Sequence, residues 1–80
     1  MIAWTVYSRA ECSLCDQLIE QLATILGPAA SNVAVVDIGD DPGLEAKYGK
    51  RIPVLLADGE FVCNFRLDEA RVRACMDADG

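Results

Sequence analysis

Apolar residues along the chain follow two spacings. Ile2-Ala3-Trp4-Thr5-Val6-Tyr7 and Val33-Ala34-Val35-Val36-Asp37-Ile38 are short, nearly continuous apolar runs rich in β-branched and aromatic residues. They read as strands one and two. The first run, apolar nearly throughout, suits a central strand covered on both faces. Between them, Cys15, Leu18, Ile19, Leu22, Ile25 and Leu26 recur at three- and four-residue steps, the stripe of an amphipathic helix from about Ser13 to Leu26. Asp16, Gln17, Glu20 and Gln21 take the opposite side, and Gly27-Pro28 supplies a stop. Ala29 to Asn32 reads as a linker. Strand, helix and strand over this length make a βαβ unit, so strands one and two are expected to be parallel.

The second half is cut into shorter pieces. Gly39 to Gly43 is a turn, in which Asp41 suits an N-cap and Pro42 the first helical position. Leu44 to Tyr48 then forms a short surface helix closed by Gly49. Lys50-Arg51-Ile52-Pro53 leads into strand three, Val54 to Ala57. Asp58-Gly59 is a strong hairpin signal, and strand four follows antiparallel from Glu60 to Asn64. Asp68 (or Leu67) opens a last helix that runs to about Ala78, with Val72, Cys75 and Met76 on its apolar face. The order predicts an α/β domain with a mixed four-stranded sheet and helices on its faces.

Length and composition narrow this picture. Eighty residues allow one domain, 1–80, and a 52% hydrophobic content is enough to build a core. No apolar run approaches the roughly 20 residues of a membrane helix. The first residues lack the basic-then-apolar pattern of a secretory leader. A cytoplasmic protein with no membrane partner is therefore expected, and in that compartment a CxxC is catalytic or metal-binding more often than structural. The net charge of −6, thirteen acids against seven bases, argues against nucleic acid as a partner. The bases are uneven: Arg9 stands alone, whereas Lys47, Lys50 and Arg51 crowd the approach to Pro53. If those two loops meet, an acidic protein carries one small positive face.

The chemistry-bearing feature is Cys12-Ser13-Leu14-Cys15, placed where strand one hands over to the first helix. Thiolates, not thiols, attack disulfides. A helix N-terminus favours the thiolate through unpartnered N–H groups and the positive end of the dipole. Cys12 occupies that position, and Cys15 lies one turn further on along the apolar stripe. Cys12 is thus the expected nucleophile and Cys15 the resolving thiol. The alternatives are a structural staple, two inert thiols or a metal site. A disulfide closing so short a loop removes only about 2 kcal/mol of chain entropy, which makes a weak staple. Zinc takes four ligands, and the chain has no His and no second CxxC; no metal is expected. Cys63 and Cys75 read as small buried apolar side chains. Glu11 and Asp16 flank the pair and oppose a thiolate, with Arg9 as the offset.

Taken together, these residues resemble a known family. Tyr7-Ser8-Arg9 followed by Cys12-Ser13-Leu14-Cys15 is similar to the glutaredoxin active-site segment. Tyr48-Gly49-Lys50-Arg51-Ile52-Pro53-Val54 is similar to the cis-proline loop of the thioredoxin superfamily. More narrowly, the chain resembles small uncharacterised glutaredoxin-like proteins with a C-x-L-C motif and an R-I-P-V segment. The resemblance covers essentially the whole chain. It implies a three-layer thioredoxin-like fold with strand order 2-1-3-4, a cis Pro53 facing Cys12, and an Ile52 backbone free to pair with an extended peptide or glutathione. It implies a thiol–disulfide oxidoreductase acting on protein or glutathione mixed disulfides as a monomer, with no bound cofactor and glutathione as the candidate reductant or substrate. Arg9, Arg51, Ile52, Pro53, Arg66 and Asp68 are the expected substrate contacts. The chain departs from the pattern before the last helix. Glutaredoxins carry two glycines and an acid there, and this chain reads Asn64-Phe65-Arg66-Leu67-Asp68.

Overall fold

Residues 1–79 are described by a computed structural model. Two central strands, β1 (Trp4–Ser8) and β3 (Val54–Ala57), run antiparallel with Val6 opposite Leu55. β2 (Val33–Asp37) adds to the free side of β1 in parallel, Trp4 opposite Val33, and β4 (Glu60–Asn64) adds antiparallel to β3. The sheet order is β2-β1-β3-β4, as the resemblance implied. Three α-helices complete the fold: α1 (Ser13–Leu26), α2 (Pro42–Tyr48) and α3 (Glu69–Asp79). No helix among the described residues is long and apolar enough to cross a membrane.

The core forms on one face of the sheet. Trp4, Val6, Leu55 and Ala57 point the same way because they pair directly across β1 and β3. They pack with Leu18, Leu22 and Leu26 of α1 and Val72 of α3. The helical period read from α1 thus buries Cys15, Leu18, Leu22 and Leu26, and leaves Ile19 and Ile25 half-buried. On the opposite face, Tyr7 stacks on Tyr48 of α2 with ring centroids 4.5 Å apart and planes at 15°.

Two parts of the sequence reading are refined. The linker after α1 is a 3₁₀ turn, Gly27–Asn32, entered through Gly27 at φ 59°, a conformation that costs glycine little. Strand two takes the edge position that the order 2-1-3-4 implied, and its apolar run is left open: Val35 is 52% exposed and Ala34 is exposed. An apolar run at an edge carries the same sequence signal as one at the centre, because propensity does not report neighbours. Elsewhere the local chemistry is as expected. The Asp41 carboxylate accepts the Leu44 N–H at 3.1 Å to cap α2. Asp58 and Gly59 turn with φ of 51° and 82°, the left-handed pair of a tight hairpin. Gly49 follows α2 at φ −53°, not in the left-handed form. Glycine suits that position sterically, since a Cβ there would run into the Glu45 carbonyl.

Two departures from regular backbone shape the last strand and its exit. Between Leu55 and Leu56 the β3–β4 register slips, so that Cys63 faces Leu55 and Phe61 faces Leu56 with Val62 between them. Val62 and Cys63 are both buried as a result of this bulge. After β4, Phe65 adopts φ 64°, a left-handed backbone that a bulky side chain rarely takes. At the start of α3, Asp68 accepts the Arg71 N–H through its carboxylate at 3.1 Å and pairs with the Arg71 guanidinium at 3.6 Å.

Two outcomes follow from this packing. Leu55 is fully buried between the sheet's partners, so Leu55→Ala is expected to lower unfolding free energy by about 2–5 kcal/mol in urea titration. Burial pushes the Cys63 thiol up, against a smaller lowering by the Asp68 backbone N–H. Its folded value then lies above its unfolded one, so this group's contribution to stability is full at neutral pH and is lost as pH climbs through the alkaline thiol range. Alkylation followed by mass spectrometry at neutral pH should label Cys63 many-fold more slowly in the folded than in the denatured chain.

Candidate active site

The pairing of Tyr7 with Val54 puts the end of β1 beside the start of β3. The loop Arg9–Cys12 and the segment Lys50–Pro53 therefore leave the sheet at the same end. The condition for a shared positive face is met, since Arg9, Lys50 and Arg51 line one hollow.

Cys12 ends the first loop and caps α1. Its backbone is extended at φ −109° and ψ 102°, its Sγ accepts the Cys15 N–H at 3.2 Å, and its carbonyl accepts the Asp16 N–H at 3.1 Å. Few side chains cap with sulfur; here the cap aims the positive helix end at Sγ. Glu11, just before it, is held at φ 59°. The Cys12 and Cys15 sulfurs lie at bonding distance, with Cα atoms 5.2 Å apart. Their surroundings differ. Cys15 is 1% exposed and packed in the protein interior, whereas Cys12 is half-buried.

The second loop carries Ile52-Pro53, whose peptide bond is cis. Pro53 is buried, and its carbonyl accepts the Phe65 N–H at 2.9 Å. The Arg51 N–H donates to the Tyr48 carbonyl at 2.7 Å, and the Arg51 carbonyl accepts from the Asn64 amide at 3.3 Å. The segment is thus tied to α2 on one side and to the β4–α3 connection on the other.

The expected substrate contacts separate into groups. Arg9 and Arg51 line one hollow of about 780 Å³ together with Lys47, Lys50 and Glu45. Arg9 pairs with Glu45, and the Lys47 ammonium lies 5.2 Å from the Tyr48 ring centre, within reach of a cation–π contact. Arg66 lines a different groove, of about 230 Å³, with Leu14, Phe65 and Leu67. Asp68 caps α3 and pairs with Arg71. Three features escaped sequence reasoning. The Arg9–Glu45 pair and the Tyr7–Tyr48 stack join residues far apart in the chain, and no spacing rule reaches them. The backbone of Phe65 is the third. Its signal was present in the departure from two glycines, because a bulky residue standing where the fold wants glycine invites a left-handed conformation.

Comparison with known proteins agrees with this geometry. The model of the Glutaredoxin-like domain (DUF836) matches residues 4–77. An uncharacterised protein of Mycobacterium tuberculosis is 35% identical over 72 residues, covering 84% of this chain and 74% of that one. The X-ray structure of a structural-genomics target protein from X. campestris is 41% identical, with a TM-score of 0.77 over 95% of this chain and 97% of that one. Oxidised glutaredoxin 2 from Chlamydomonas reinhardtii is 18% identical, with a TM-score of 0.59 over 96% of this chain and 74% of that one, a likeness of fold alone. With a thioredoxin-type sheet, a Cys12–Cys15 pair opening α1 and a family match along nearly its whole length, this chain belongs to the glutaredoxin-like (DUF836) family.

Proposed function

We propose that the protein is a dithiol–disulfide oxidoreductase in which Cys12 attacks and Cys15 resolves. The observation that carries this reading is the asymmetry of the pair: a half-buried Cys12 sulfur receiving an N–H from the first turn of α1, with Cys15 buried at bonding distance behind it. The Cys12 thiolate attacks one sulfur of a substrate disulfide, forms a mixed disulfide and expels the first substrate thiol. Cys15, as its thiolate, then attacks the Cys12 sulfur and expels the second. The substrate gains two electrons and two protons as two thiols, and the protein loses the same as the Cys12–Cys15 disulfide. Both electrons come from the protein's own sulfurs, so the cycle needs no bound cofactor. A thiol reductant such as glutathione closes it. The Ile52 backbone, beside Pro53 at the same end of the sheet, offers donors and acceptors to an extended substrate. The setting fits a reducing compartment such as the cytoplasm.

The test is direct. Equilibrated with dithiothreitol of varied redox state, the wild-type chain should form and lose the Cys12–Cys15 disulfide reversibly. The Cys15→Ser variant should stop at a mixed disulfide on Cys12 when given oxidised glutathione or a peptide disulfide, seen by mass spectrometry. Cys12→Ser should form none. A chain whose two sulfurs never interconvert with the buffer would be a binding module on the same fold. A separate outcome concerns the β4–α3 connection. Phe65→Gly removes a side chain from a left-handed backbone and is expected to raise stability by about 1 kcal/mol in urea titration. It should also speed reaction with oxidised glutathione, whose backbone needs room beside Pro53.

A further inference from the structure

The cations of this chain are placed against its overall charge. Arg9, Lys47, Lys50 and Arg51 line one hollow and Glu45 is the single carboxylate among its lining residues, so the hollow is net +3. The whole chain is net −6, which leaves −9 on the rest. Glu45 is committed to Arg9. Among the described residues no carboxylate forms an ion pair with Lys47, Lys50 or Arg51. Three exposed cations without a carboxylate partner are therefore grouped together; water screens their mutual repulsion, and an anionic ligand would be attracted by all three. Lys47 sits at the end of α2, Lys50 and Arg51 lie immediately before Ile52-Pro53, and Arg9, on the other wall of the hollow, lies three residues before Cys12.

Resting on the disulfide-exchange reading above, we infer that the substrate disulfide is carried on an acidic polypeptide segment, read by the Arg9, Lys47, Lys50 and Arg51 hollow. Glutathione at neutral pH has two carboxylates and one ammonium, a net charge of about −1, and offers little to match three free cations. An extended segment with several Asp or Glu residues around its cysteine matches them. It can lie along the Ile52 backbone while its side chains reach the hollow. The acidic remainder of the surface repels such a segment everywhere else, so the field both draws it in and orients it toward Cys12. A whole acidic surface would be repelled, and the occupant is therefore a projecting stretch rather than a broad face.

The experiment uses the full chain, reduced, and two homodimeric peptide disulfides that differ only in carrying glutamates or glutamines around the cysteine, with oxidised glutathione as a third probe. The rate of Cys12–Cys15 oxidation is followed by quenched alkylation. At low ionic strength the glutamate peptide should react about tenfold faster than the glutamine peptide, and the ratio should shrink but stay above one at physiological strength and fall toward one near 1 M salt. The Lys47→Glu, Lys50→Glu double variant changes two exposed side chains and should collapse the ratio at low salt. Equal rates for the two peptides, or a preference that survives the charge reversal, would overturn the inference. If no probe oxidises the pair, the disulfide-exchange reading itself fails, which is a distinguishable result.

Discussion

The pairing of Tyr7 with Val54 is the constraint on which the site depends. Strand β1 has its chemistry at its C-terminal end and β3 has its backbone platform at its N-terminal end. Only an antiparallel pairing of these two strands brings those ends together. Side chains alternate along each strand, so the same register decides what lies beneath. Trp4, Val6, Leu55 and Ala57 are sent to the core under α1 and α3, and Tyr7 is sent to the other face to meet Tyr48. A slip by one residue would exchange these sets and take the core with it.

The division between what the residues announced and what they withheld follows the range of the physics involved. Helix α1 was legible because its stripe of Leu18, Leu22 and Leu26 is periodic and its stop at Gly27-Pro28 is local. The α2 cap at Asp41 and the Asp58-Gly59 turn were legible for the same reason: each is a contest between a few neighbouring torsions. The candidate site was legible as far as Cys12, Cys15, Ile52 and Pro53, whose types and spacing carry the family's pattern. The edge position of β2 was not written in its own residues, since Val35 reads alike beside one neighbour or two. The Arg9–Glu45 pair and the stack of Tyr7 on Tyr48 were hidden because they join distant segments. Arg66 and Asp68 were grouped with Arg9 and Arg51 through the family resemblance, and the fold places them in a groove, at a helix cap and in a hollow.

Helix α2 is short, and an isolated helix of its length has no stability of its own. It is held by its Asp41 cap, by the tyrosine stack and by Arg9. Its C-terminal end also carries Lys47 and leads into Lys50 and Arg51. The surface that presents the positive charge is thus fastened to β1 by a few side chains rather than by a large apolar face. Local opening energies are low where buried apolar contacts are few, and α2 is the part of the molecule best able to adjust to an occupant of the hollow.

The bulge in β4 acts as a gauge of length. Counting from the Asp58-Gly59 turn, an unbroken ladder would bring Cys63 opposite Val54 and Asn64 opposite Pro53. The extra residue at Val62 delays the count by one, so that Asn64 meets Val54 and the Phe65 N–H reaches the Pro53 carbonyl. Straightening the bulge with every residue kept would move the whole β4–α3 connection on by one position. Phe65 would then stand past Pro53, whereas loss of Val62 together with the bulge would leave Asn64 opposite Val54 and Phe65 beside Pro53. The surroundings of Pro53 are therefore measured out from a turn at the far end of the sheet, by one supernumerary valine.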